Sequence, residues 1–171
     1  ACARAQAAGS WSTTTNWATA GPADLAPRPA PTSGDVTLAP SHPDGVGLWT
    51  GEANMFRSAQ AGIGVYKSVD AGKTWQHMGL ADTYTIPRIV IHPTNPDIVY
   101  VAASGHEWTT NAERGVYKTA DGGKRWPKVL FLDEKAGESD LAMDPADPNS
   151  RHAPTWHAAR RKWGCTPRVT Q

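Results

Sequence analysis

An all-β fold assembled from repeated four-stranded antiparallel sheets is what this sequence predicts, on three observations. Residues 64–75 and 115–126 repeat one another 51 positions apart, each running from Gly-Val-Tyr-Lys through an Asp/Gly turn to Trp. Such a β-run, tight turn and second run is a hairpin pattern, and an internal repeat constrains architecture more strongly than local propensity does. A second repeated feature, an apolar residue followed by two spaced prolines and an acid or amide, occurs at 38–44, 91–97 and 143–149, with its first prolines 53 and 52 residues apart. Prolines cannot donate to a ladder, so these are turns between strands. After each of the first two turns comes a β-rich run.

Taken in order, the elements are these. Residues 1–33 are rich in Ala, Thr, Ser and Pro and read as a linker or disordered lead, with Trp11 and Trp17 as the remnants of a preceding strand in the rival reading. One period then predicts strands at 35–38, 46–50, 64–68 and 74–78, and the next at 88–91, 98–103, 115–119 and 125–131, each set an up-and-down meander. Val65, Trp75, Ile89, Ile91, Val99, Val101, Val116, Trp126, Val129 and Phe131 form the expected core. The repeat region is 34–149, divided into units at 34–80 and 87–132 and the start of a third at 139–149. In the tail, 150–171, Pro154 falls inside the next expected strand.

Four short strands in about fifty residues match one blade of a β-propeller. A sandwich also has short strands and frequent turns, but nothing in it requires turn chemistry to recur in register. The prediction is therefore an incomplete β-propeller. A ring closes at about four to eight blades, whereas 171 residues hold two blades and part of a third. The expectation is a piece of a longer protein, or a chain that self-associates to cover its exposed blade faces.

The residues of the hairpin resemble a known family. Ser68, Asp70, Gly72, Thr74 and Trp75 match the Asp-box, or bacterial neuraminidase repeat, at every defined position, and Thr119, Asp121, Gly123 and Trp126 match it again with Arg125 where Thr is usual. The stretch from Asp35 to Trp156 resembles the glycosyl-hydrolase-like Asp-box propellers, relatives of sortilin-type receptors and of some xyloglucanases. That resemblance implies an extracytoplasmic location, secreted or periplasmic. The box has a physical reading without catalysis: the Asp accepts turn N–H groups, the Gly relieves the backbone, and the Trp buries a ring. A calcium loop needs alternating oxygen donors and a terminal Glu, which neither box has; no metal and no cofactor are expected.

Composition narrows the partners. Net charge is +1, and the basic cluster Arg160, Arg161 and Lys162 reads as solvated surface, so no nucleic acid is expected. No run of eighteen apolar residues marks a membrane span, and residues 1–10 lack the order of a signal peptide. The two cysteines, Cys2 and Cys165, stand outside the repeat and away from any metal-ligand spacing; whether they pair is left open.

Function is expected on loops, because strands are occupied with packing. The loops 51–63 and 104–114 leave equivalent places in adjacent units and carry Glu52, Asn54, Phe56 and Arg57, and His106, Glu107, Trp108 and Glu113. Aromatic faces stack on sugar rings while acids take hydroxyl bonds, which makes Glu52, Asn54, Arg57, His106, Glu107 and Trp108 the candidate ligand-binding set. Glycoside hydrolysis requires two carboxylates about 5 to 9.5 Å apart, and Glu52 and Glu107 are the nominated pair. Three function classes follow: a binding or scaffolding propeller for glycan or protein ligands, part of a glycoside hydrolase of sialidase or xyloglucanase type, and an assembly factor docking on another protein.

Overall fold

The computed structural model describes residues 10–13, 20–23, 33–51, 61–71, 74–106, 108–144, 147 and 151–157. Two four-stranded antiparallel sheets dominate it. The first contains β3 (Ser33–Ala39), β4 (His42–Thr50), β5 (Val65–Ser68) and β6 (Gln76–His77), and the second β7 (Arg88–Ile91), β8 (Val99–Ala103), β9 (Gly115–Thr119) and β10 (Lys128–Leu130). Each is a meander in which neighbours in sequence are neighbours in space. Ahead of them, inside the segment expected to be a lead, β1 (Ser10–Thr13) pairs antiparallel with β2 (Ala20–Ala23).

The two inner strands of the second sheet, β8 and β9, are buried on both faces, and the alternation of β8 shows why. In β8, Val101 and Ala103 face the first sheet and meet Val65, Ile86, Ile89 and Tyr117, while Tyr100 and Ala102 face the other way against Val116 and Leu141. Period-two alternation separates the two clusters. Both faces of this run are apolar, so burial on each side stabilises it, at about 1.5–3 kcal/mol per fully buried large aliphatic side chain.

Three differences from the expected strands have physical causes. The last strand of each sheet is short, 76–77 and 128–130 instead of 74–78 and 125–131, because Trp75 and Trp126 lie before it in the turn. Val129 and Phe131, expected in the core, are 52% and 44% exposed: a register shift between Lys128 and Leu130 breaks the alternation of β10, and the Phe131 ring lies instead under the Lys128 ammonium, 4.6 Å from its centroid. The proline turn expected at 38–44 tightens so far that β4 already begins at His42. Its counterpart stays a loop, in which Asn95 Oδ1 accepts the Asp97 N–H and His92 Nδ1 accepts the N–H groups of Thr94 and Asn95.

Beyond β10 the chain forms β11 (Ala136–Glu138), β12 (Ala142–Met143), β13 (Arg151–His152) and β14 (Thr155–His157). Pro154 divides the expected strand into two pieces. β13 pairs with β12 and β14 with β11, both antiparallel. Arg88 of β7 ties this region to the second sheet, its Nε donating to Asp140 Oδ1 at 2.7 Å.

Candidate functional site

The stems of the loops 51–63 and 104–114 leave the same end of their sheets, and the connector 79–87 touches both at Gly62 and Ser104. Thr50 closes the stem of the first: its Oγ1 donates to the Gly64 carbonyl at 3.0 Å and accepts the Ile63 N–H at 2.6 Å. Gly51, at φ 100°, passes so close to the connector that a Cβ there would stand 2.5 Å from the Tyr84 carbonyl oxygen. That carbonyl accepts the Gly62 N–H at 2.6 Å.

Tyr84 is held in an uncommon backbone conformation. Its φ of 62° and ψ of −54°, with Thr85 N–H donating to the Thr83 carbonyl at 2.6 Å, make it the centre of a γ-turn of the strained hand. A residue without glycine's freedom holds such a conformation at a cost of about 1–3 kcal/mol when its surroundings enforce it. The enforcing contacts are the Gly62 bond on one side and, on the other, the His106 ring, 4.0 Å from the Tyr84 ring and tilted by 34°. Tyr84 therefore joins the end of one loop to the start of the next.

Buried polar groups fix the second loop. Arg114 is fully buried and donates from Nη2 to the carbonyls of His106 and Thr109; burial lowers the guanidinium pKa, against the charge of Asp133. Ser104 N–H donates to the Thr85 carbonyl at 3.0 Å, and Asn111 Nδ2 reaches the Asp82 carbonyl at 3.3 Å. Glu113 turns inward, accepting the Tyr117 hydroxyl at 2.5 Å. Burial, the bond to Glu113 and that carboxylate's charge push the Tyr117 hydroxyl pKa far up.

Of the loop candidates, the structure brings His106 onto Tyr84 and leaves Trp108 half exposed in the same loop. Glu52, Asn54, Phe56, Arg57 and Glu107 lie outside the described residues, as does Gly72 of the first box. Tyr84 was not among the sequence candidates. Its signal was an aromatic residue between two blades with no partner in the repeat.

The Asp residues of the turns sit at the opposite end of the strands from the loops. Asp70 Oδ1 accepts from Ser68 Oγ at 2.7 Å and Thr74 N at 2.8 Å, and Oδ2 from Thr74 Oγ1 at 2.6 Å. Asp121 takes equivalent bonds from Thr119 Oγ1 and from Lys124 and Arg125 N–H, with Arg125 Nε supplying the one that Thr74 supplies in the first copy. The Arg125 and Thr119 bonds hold the Asp121 carboxyl well below the usual carboxylate range. Each turn also donates one N–H to the acid that ends a proline turn: Ala71 to the Asp44 carbonyl and Gly122 to the Asp97 carbonyl. Among the described residues no group of three or more His, Cys, Asp or Glu is arranged to hold a metal, and no helix is long and apolar enough to cross a membrane.

Comparison with solved structures returns the same sheet arrangement. The chain superposes on an ancestral GH74 enzyme with a TM-score of 0.62 at 14% identity, over 86% of this chain and 19% of that one. On the GH74 xyloglucanase from Xanthomonas campestris the TM-score is 0.57 at 16% identity, over 82% of this chain and 21% of that one. The two sheets are propeller blades. At this identity the likeness is one of fold, and the chain spans about a fifth of the length of those two structures. No protein-family model and no curated protein sequence matches the chain.

Proposed function

We propose that this chain is part of the propeller of a glycoside hydrolase and contributes a rim that contacts a polysaccharide. The observation that carries this reading is the meeting of the stems of the loops 51–63 and 104–114, through Gly62 and His106, at Tyr84, within a fold shared with GH74 enzymes. Tyr84, His106 and Trp108 supply ring faces for sugar, and Glu52 and Glu107 are the carboxylates for acid and base or nucleophile roles. The Asp-box likeness of 68–75 and 119–126, with the exported location it implies, belongs to the same reading, as does a larger ring or a second copy covering the outer blade faces.

Half exposure of Trp108 also suits a module that binds glycan without cleaving it. One experiment separates the two. Hydrolysis of xyloglucan and related β-glucans is assayed with the full-length protein and its Glu52→Gln, Glu107→Gln and Glu113→Gln variants. Loss of turnover by about a hundredfold or more in Glu52→Gln or Glu107→Gln, the scale at which one positioned acid or base acts, with activity kept in Glu113→Gln, supports the hydrolase. Saturable glycan binding with no turnover in any form supports the binding module.

A further inference from the structure

Between the two blades lies an apolar cavity of about 290 Å³, walled by Met78, Ile89, Ile91, Val99 and Trp126 and floored by Gly47. Its origin can be read from the repeat. In the second blade Tyr100 pairs with Lys118 across β8 and β9; in the first, Gly47 pairs with Lys67 across β4 and β5. Gly47 thus stands where Tyr100 stands.

Tyr100 is buried, with the Lys118 ammonium 5.5 Å from its ring centroid and the Arg151 guanidinium 4.2 Å away. The hollow beside it, about 350 Å³, has that ring as one wall. In the first blade no ring lies at the Gly47 position. Lys67 borders the cavity together with Asp97, 3.9 Å from it, and their side chains, 34% and 60% exposed, mark its mouth.

We infer that this cavity is a binding site for a small neutral aromatic molecule, seated over Gly47 with its ring beneath Lys67. Three properties support that class. An apolar cavity of about 150 Å³ already admits benzene, so the volume suffices for a substituted ring. The walls are mostly aliphatic and aromatic carbon, with His42 and Thr119 among the lining residues, which suits a ring face, and a partly desolvated ammonium above a ring is attractive. The site is at the end of the sheets away from Tyr84 and does not depend on the function proposed above.

The test adds p-cresol, the Tyr side chain without its backbone, to the full-length protein and follows the methyl signals of Met78, Ile89 and Ile91 together with thermal unfolding. Saturable shifts and a raised melting temperature are expected. A Cβ on Gly47 would meet only ordinary contacts, 3.5 Å from Thr37 Cγ2 and 3.7 Å from Ile91 Cδ1, so Gly47→Tyr and Gly47→Leu both fill the space. Each is expected to melt higher without ligand and to weaken p-cresol binding by about tenfold or more. Absence of saturable shifts, or shifts that persist in both folded variants, would overturn the site. Equal affinity for 4-methylcyclohexanol would overturn its aromatic class.

Discussion

The indole N–H of Trp126 donates to the main-chain carbonyl of Met78 at 2.7 Å, across 48 residues of chain. The Asp-containing turn of the second blade is thereby fastened to the end of the first. Trp126→Phe keeps most of the ring and loses this bond, and is expected to destabilise by about 1 kcal/mol. Trp126→Ala also removes packing against the core between the blades and should cost about 3 kcal/mol. Urea unfolding of the three forms measures both.

Asp70 gathers three donors onto one carboxylate. Asp70→Ala leaves the Thr74 N–H and two hydroxyls to water in a half-open turn, for an expected loss of about 1–2 kcal/mol. Asp70→Asn retains part of that bonding and should fall between. Equilibrium denaturation ranks them.

Arg125 does in the second turn what Thr74 does in the first, but through an ion pair in which the Arg125 side chain is 86% exposed. Exposed pairs of this kind are screened by salt. Arg125→Thr is therefore expected to change the melting temperature little at low salt and to remove part of its dependence on salt. A melting series in sodium chloride reads this directly.

Glu138 and Asp140 oppose one another in acid. Burial raises the Glu138 pKa above its ordinary 4.5, despite the bond from Thr155, so the folded state holds the proton more tightly than the unfolded state. Its contribution is fully present below 4.5 and is lost as pH rises through the folded value. The Arg88 bond lowers Asp140 below its ordinary 3.8, so its contribution is present above 3.8 and lost as pH falls through the folded value. Glu138→Gln should raise stability at neutral pH and flatten that side of the profile, and Asp140→Asn should flatten the acid side. Thermal melts from pH 2 to 8 check each slope.

Tyr84→Gly relieves the strained turn while removing the ring under His106. Relief and lost contact are each of about 1 kcal/mol, so stability should stay nearly unchanged. Glycan affinity of the full-length protein should drop, because its platform loses one of three rings. Calorimetry alongside melting separates the two effects.

The first three strands of the second blade were legible almost residue by residue. Val99 to Ala103 alternate between two apolar faces, Gly115 to Thr119 repeat an earlier segment, and both signals survive folding because each strand has neighbours on both sides. The outer strands were less legible, since an edge strand with a register shift exposes residues such as Val129 whose side chains look like core. The pattern offered for Tyr84 only an aromatic residue outside the repeat; its positive φ is held by contacts with Gly62 and His106, which lie far away in sequence. The inter-blade cavity was hidden for the opposite reason, because Gly47 is significant only once its register with Lys67 is set beside that of Tyr100 with Lys118. Of the candidate site, the sequence singled out the two loops, and only the folded chain reveals the residue on which both bear.

That shared residue has a mechanical consequence. The Tyr84 carbonyl holds the end of one loop and its ring supports the beginning of the other, so the stems of both loops bear on one residue. A displacement of the Gly62 peptide is therefore expected to act on the Tyr84 peptide plane and, through the ring, on His106. The two blades are joined at this point through a single peptide and its ring.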